Sequence, residues 1–266
     1  MPMLKINKIL TVGTMFSAFA QHCDKDFKFA GEQHNFWEFL YITDGSMGVC
    51  VDDRIYELKK GQMIFYAPME FHSIWSSGGA DADFIIMSFS LNGEGFQKLS
   101  GGVFDVSVQN DKLIRIALEH ASVCKNYDDN IQNQLLSNKL EELMLNLLIE
   151  KTTPILEKRT PGTENYKKII NVMKKHINEN LSSEQIARLC DMSLANLKKT
   201  FKKYAGMGVM KYYNNLRIMK SMDLMRDGRN MAEISEILNF SSQQYFTEVF
   251  KRQCGMTPSE HKRRYL

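Results

Sequence analysis

The strongest constraint on this chain is a repeat near its C-terminus. In the first copy Ile186, Ala187 and Leu189 mark a short apolar helix opening at Ser183. Asp191 then takes a turn position, Ser193 caps, and Leu194, Leu197 and Phe201 run down a second helix. In the second copy Ile234, Ile237 and Leu238 mark the helix, Asn239 stands at the turn and Ser241 or Ser242 caps. Tyr245, Phe246, Val249 and Phe250 follow at helical spacing. The copies align with an offset of 48 residues before the turn (Ala187 on Ser235) and 49 after it (Phe201 on Phe250, Gly206 on Gly255), so the second turn holds one extra residue. Asp191 and Asn239 fall where such a turn wants left-handed backbone, which Gly, Asn and Asp tolerate best. Two such helix-turn-helix units, 183–203 and 231–252, imply one duplex site read twice.

Charge supports a polyanion partner for this half only. Residues 160–266 hold 19 Lys/Arg against 10 Asp/Glu, whereas residues 1–159 hold 15 against 21, an asymmetry that the net charge of +3 conceals. At 266 residues two domains are expected. The boundaries predicted are 1–151 for a sensing and dimerisation domain, 152–163 for a linker containing Pro154, Pro161 and Gly162, and 164–266 for the DNA-binding domain.

The region from Tyr166 to Leu266 resembles the DNA-binding domain of the AraC/XylS family of transcriptional regulators. The resemblance rests on the paired units, the linking helix 210–225 with Leu216-Arg217, Ser221 and Leu224-Met225, the run Phe240 to Lys251, and the closing Gly255-Met256-Thr257-Pro258-Ser259. Asp191 and Asn239 stand where that family often has Gly, and Ser235 where Ala is usual. The second helix of each unit is expected in a major groove. That presents Leu194, Ala195, Asn196, Lys198 and Lys199 from the first, and Ser242, Gln243, Gln244 and Thr247 from the second, to base edges. Asn and Gln amides can pair with adenine in bidentate fashion. Lys202, Lys251 and Arg252 suit phosphate contacts, which position without specifying.

The N-terminal half changes character. After a first strand over residues 9–20, preceded by a possible arm, come short β-rich runs at 36–43, 47–51, 54–58, 63–66, 71–75 and 84–89, separated by turn signals such as Asp44-Gly45-Ser46 and Lys60-Gly61. Many short strands predict a sandwich or barrel. His34, Glu38, Gly45, Gly61, Pro68 and His72 resemble the degenerate cupin pattern of AraC-family sensor domains, so the fold class expected is α+β multidomain: a cupin-like jelly roll with helices, then an all-α domain. Strand alternation puts His34, Phe36 and Glu38 on one face, and these with His72 and Trp75 are the candidate effector pocket. Trp37 and Trp75 could stack on a sugar ring, although nothing fixes the ligand class. His34, Glu38 and His72 could offer three metal ligands, but Phe36 occupies the place where metal-binding cupins have a second His, so no metal or other cofactor is expected.

Leu113, Ile116, Ala117 and His120 then mark one helix, and Leu135, Leu136, Leu140, Leu143, Met144, Leu147 and Leu148 a longer one. The longer helix packs on the barrel, and the family resemblance implies that it also forms a homodimer interface. Cys23, Cys50, Cys124, Cys190 and Cys254 show no paired spacing, and no apolar run reaches membrane-spanning length; both predict a reduced, cytoplasmic protein, and the family resemblance implies the transcription machinery as a partner. Two rivals to an effector-controlled regulator remain: a ligand-independent regulator whose barrel only dimerises, and a cupin metalloenzyme fused to a DNA-binding domain.

Overall fold

The computed structural model describes residues 8–93, 96–123, 130–150 and 157–265. Cys124, the arm expected at residues 1–7 and residues 152–156 of the expected linker lie outside these. The chain divides into two compact units, Met1–Lys158 and Arg159–Leu266.

The first unit comprises strands β1 (Leu10–Cys23), β2 (Lys28–Glu32), β3 (Trp37–Asp44), β4 (Ser46–Val51), β5 (Arg54–Lys59), β6 (Gln62–Tyr66), β7 (His72–Ser76), β8 (Ala82–Gly93) and β9 (Val103–Asp105), then helices α1 (Val108–Val123) and α2 (Asn130–Ile149). They form two sheets, ordered β1-β8-β3-β6-β9 and β2-β7-β4-β5, with antiparallel pairing between the named strands. The five-stranded sheet is buried on both faces. Leu40, Ile42, Ile64 and Phe84 meet Val49, Val51, Leu58 and Ile74 of the other sheet. Phe39, Tyr41, Met63, Phe65, Met87 and Phe89 meet Leu113, Ile114, Leu140, Leu143 and Met144 of the helices. A strand covered on both sides needs apolar side chains at every position, so β3 is apolar from Trp37 to Ile42 except at Glu38.

The sandwich matches the expected class, with local corrections. Strands β2 and β9 were not anticipated: β2 is short and largely exposed, and carries little apolar signal. In α1 the buried stripe is Leu113, Ile114 and Ala117, while Ile116 is exposed; in α2 Leu135 is exposed while Leu136, Leu140 and Leu147 are buried. The predicted face of α2 is otherwise the buried one, through Leu136, Leu140, Leu143, Met144 and Leu147, whereas in α1 Ile114 takes the place expected for Ile116.

The second unit contains α3 (Pro161–Lys175), α4 (Ser183–Leu189), α5 (Leu194–Ala205), α6 (Val209–Arg226), α7 (Met231–Ile237), α8 (Gln243–Cys254) and α9 (Pro258–Tyr265). Residues 161–163, expected in the linker, form the first turn of α3. Thr160 caps that helix and Pro161 sits where its missing N–H costs nothing. Both turn residues adopt the left-handed backbone expected, Asp191 at φ 53° and Asn239 at φ 51°. Ser193 accepts from the Asn196 N–H, and Ser242 rather than Ser241 caps α8 by accepting from the Tyr245 N–H. The second-helix aromatics Phe201 and Phe250 are fully buried, and Ala187 and Ser235 are buried at matching places. Leu189 and Tyr245, expected inside, are both 42% exposed.

A DNA-reading face and a buried cavity

The first helix of each helix-turn-helix unit is held by its apolar stripe, and the cap-and-turn chemistry then aims the second. On α5 the residues Ala195, Asn196, Lys198 and Lys199 are exposed and Leu194 is half-buried. On α8 Ser242, Gln243 and Gln244 are exposed, while Thr247 is half-buried and its hydroxyl donates to the Gln243 carbonyl. Asn196 accepts a hydrogen bond from Thr200 through Oδ1, which leaves its amide N–H₂ facing outward as a donor. Among the three expected phosphate contacts, Lys251 and Arg252 are exposed, but Lys202 donates to the Gly206 carbonyl and so closes the C-terminus of its own helix. Tyr245 was misread as core. It stands one residue from the buried Phe246, so its ring joins Gln244 on the outer face, and only its phase against Phe246 and Phe250 could have revealed this.

Arg217 of α6 is the other residue whose role sequence did not disclose. Its guanidinium is buried, donates to the carbonyls of Leu238 and Asn239, and lies 3.9 Å over the Phe240 ring. These carbonyls belong to the C-cap and the turn residue just past α7, so the cation sits beside the negative end of that helix. Burial lowers the guanidinium pKa from its ordinary value.

In the first unit a cavity of about 150 Å³ opens between the sheets. Phe19, Phe27, Phe29, Ile74, Phe84 and Ile86 make its apolar wall, and Glu32, Glu38, Tyr66 and His72 its polar end. Glu38 points inward because even-numbered positions of β3 face the second sheet. Its Oε2 accepts from Ser88 at 2.6 Å, and its Oε1 lies 3.2 Å from His72 Nε2. His34 Nε2 lies 3.5 Å from Glu38 Oε2. Burial would raise the Glu38 carboxyl, but His34 and His72 outweigh it and hold it at about 2; burial would lower His72, but Glu32 and Glu38 raise it to about 9. Thus His34, Glu38 and His72 are brought together as expected.

Phe36 and Trp75 are not part of this lining, nor is His34, which reaches Glu38 without lining the cavity. His34 and Phe36 precede β3 instead of alternating along it, and their rings stack on each other at 3.8 Å while Phe36 stacks on Phe16 at 4.2 Å. Trp75 follows Ile74 on β7 and so lies on the opposite face, over Gly48, where a Cβ would fall 2.2 Å from the indole. Trp37 likewise faces the helices, edge-on to Phe96. Three contributors come from other strands. Tyr66 stacks on His72 at 4.1 Å and its buried hydroxyl has no hydrogen-bond partner among the described residues. Ser88 holds Glu38. Glu32 enters from β2 directly opposite His72, with Oε1 3.8 Å from His72 Nε2. A bulge between Phe29 and Glu32 makes that placement possible: Gly31 has φ 90°, and a Cβ there would fall 2.5 Å from the Phe71 ring.

Both imidazoles are oriented from behind. His34 Nδ1 lies 3.0 Å from the Phe36 carbonyl and His72 Nδ1 lies 3.2 Å from the Glu70 carbonyl. A carbonyl only accepts, so each Nδ1 carries a proton and each ring directs its Nε2 into the cluster. Neither Nε2 makes a hydrogen bond of acceptable geometry. Glu32, His34, Glu38 and His72 together form a set of four side chains whose donor atoms all lie within 4.8 Å of one another.

Among the described residues no helix is long and apolar enough to cross a membrane. The model of the AraC-like ligand binding domain matches residues 17–129, and a helix-turn-helix domain model matches residues 186–264. The transcriptional activator RhaR of Pectobacterium carotovorum is 22% identical over 88% of this chain and 86% of its own length. The Msm operon regulatory protein of Streptococcus mutans is 22% identical over 92% of this chain and 90% of its own. A structure of ToxT from Vibrio cholerae aligns at 17% identity and TM-score 0.38 over 94% of this chain and 96% of that one. A ligand-binding domain followed by paired helix-turn-helix units, with full-length relatives that are transcriptional regulators, makes this chain a member of the AraC family of DNA-binding transcriptional regulators.

Proposed function

We propose that the chain is a cytoplasmic, homodimeric regulator and not an enzyme, one that acts on the transcription machinery and responds to a small, mainly apolar molecule held in the sandwich cavity. Base readout is assigned to Ala195, Asn196, Lys198 and Lys199 with Leu194 at their edge, and to Ser242, Gln243, Gln244 and Thr247; backbone positioning is assigned to Lys251 and Arg252. Lys202, exposed and with three ammonium protons, can join them while one proton is given to Gly206. α2 is the assigned dimer helix.

The effector reading is carried by the Tyr66 hydroxyl: a buried donor without a hydrogen-bond partner among the described residues, at the polar end of a cavity walled by aromatic and aliphatic side chains, is costly unless a ligand satisfies it. The volume suits a molecule of few heavy atoms with a hydrogen-bond acceptor at one end. A sugar fits this lining less well, since neither Trp37 nor Trp75 faces the cavity. A ligand regulates only by preferring one state of the chain.

The test is thermal denaturation of the full chain against a panel of small aromatic and aliphatic carbonyl compounds. A true effector raises the melting temperature in proportion to its saturation. Tyr66→Phe should abolish that rise while DNA binding without ligand stays unchanged. A stabilising compound that acts equally on Tyr66→Phe would overturn the assignment of the cavity.

A further inference from the structure

We propose that Glu32, His34, Glu38 and His72 bind a divalent transition-metal ion, with Glu32 of β2 supplying the ligand for which the His34–Glu38 segment itself has no residue. This goes beyond the small-molecule reading of the cavity and does not depend on it.

Three observations carry the site. The first is separation. Two atoms bound to one metal at about 2.1 Å in tetrahedral geometry lie roughly 3.4 Å apart. The contacts here are 3.2 Å (His72 Nε2 to Glu38 Oε1), 3.5 Å (His34 Nε2 to Glu38 Oε2) and 3.8 Å (His72 Nε2 to Glu32 Oε1), and one donor atom from each of the four residues lies within 4.8 Å of the rest, so small side-chain adjustments bring all four onto one ion. The second is orientation. Each imidazole donates its Nδ1 proton to a backbone carbonyl, the arrangement that fixes metal-binding histidines, and leaves Nε2 aimed at the cluster. The loop that provides the Glu70 carbonyl is itself turned by Met69, whose φ is 68° and whose N–H donates to the His34 carbonyl. A left-handed methionine is strained, and here it ties the backbones of both histidines to one loop. The third is an unmet need. His72 is 2% exposed and its Nε2 has no hydrogen-bond partner among the described residues.

The donor chemistry narrows the ion. Two imidazole nitrogens with two carboxylates suit Zn²⁺, Fe²⁺, Ni²⁺ or Mn²⁺, whereas Ca²⁺ and Mg²⁺ prefer sites built of oxygen. Glu32 has a side chain 51% exposed, while Glu38 is 5% exposed, so Glu32 forms the outer side of the site and the one through which an ion enters.

The experiment uses the full chain, stripped with chelator and titrated with Co²⁺ as a spectroscopic probe, with Zn²⁺ added in competition. One equivalent of Co²⁺ should develop visible ligand-field bands of low-coordinate intensity, and Zn²⁺ should displace it. Glu32→Gln should weaken Co²⁺ binding by tenfold or more and alter the bands, while its chelator-treated melting temperature matches that of the unsubstituted chain. Glu38→Gln and His72→Ala should lose stoichiometric binding. Absence of a saturable one-to-one Co²⁺ spectrum in the unsubstituted chain would overturn the site. An unchanged spectrum and affinity in Glu32→Gln would overturn the four-ligand set.

Discussion

The two helix-turn-helix units are built on one plan but their turns are secured differently. In the first, Asp191 adopts the left-handed turn and its carboxylate pairs with Lys168 of α3 at 2.8 Å, both side chains reaching into solvent. In the second, Asn239 makes the same turn, but a buried guanidinium from α6 holds the backbone carbonyls behind it. The extra residue of the second turn, Ser241, lets Phe240 fold under Arg217 and against Phe246, with ring centroids 5.2 Å apart in the latter pair. One turn is thus stapled at the surface and the other from within. Water screens the first staple and cannot replace the second, so equivalent sequence positions carry unequal energies.

The reading faces differ too. The first unit offers Lys198 and Lys199 beside Asn196, whereas the second offers the uncharged Ser242, Gln243 and Gln244 with the exposed Tyr245. Cationic and amide side chains are mixed on one exposed face, whereas on the other the amides stand apart from Lys251 and Arg252 in the last turn. Substitutions at Gln243 and at Lys251 should therefore separate sequence preference from salt-dependent affinity in the second unit, as Lys198 and Lys199 beside Asn196 should not in the first.

The largest effect expected is at the buried staple. Arg217→Met leaves the Leu238 and Asn239 carbonyls unpaired in the interior and should cost on the order of 2–4 kcal/mol of stability, read by denaturant melts of the full chain. Next comes base readout. Gln243→Ala should relax preference at one position of the selected site by about 1–3 kcal/mol, measured by competition between single-base variants of the duplex. Lys251→Ala should weaken all sequences similarly and reduce the salt slope by about one, whereas Lys198→Ala should also relax base preference; a sequence-selective loss at Lys251 would break the contrast between the faces. Ser193→Ala and Ser242→Ala should each cost about 1 kcal/mol, nearly equal because each hydroxyl accepts from the backbone N–H three residues on. The smallest effect is Lys168→Ala, for which the melting temperature should barely move; a loss comparable to that of Arg217→Met would erase the distinction between surface and buried staples.

The helical half was legible because its determinants are local. The caps at Ser193 and Ser242, the left-handed Asp191 and Asn239 and the buried Phe201 and Phe250 are each specified by a few neighbouring residues. Helical phase was less secure: Leu189 and Tyr245 fit an apolar count yet point outward. The cavity was legible only in part. His34, Glu38 and His72 meet as their spacing suggested, but Glu32, Tyr66 and Ser88 arrive from other strands through register, which no spacing encodes. Phe36 and Trp75 failed for two different reasons: Phe36 precedes the strand whose alternation was assumed for it, and Trp75 lies on the far side of a strand whose inward residues are His72 and Ile74. Arg217 carries a charge, and charge alone argues for the surface; only the carbonyls it meets explain its burial.

Whether both units grip one duplex together is decided most directly by spacing. In-vitro selection from a random duplex library with the full-length chain should enrich two short boxes about one helical turn apart. Affinity is then measured for the selected duplex and for one with about five extra base pairs between the boxes, which turns the second box to the opposite face. If the units read together, the insertion should reduce affinity to that of a duplex carrying a single box. Equal affinity for both duplexes, or selection of one box alone, would contradict tandem readout.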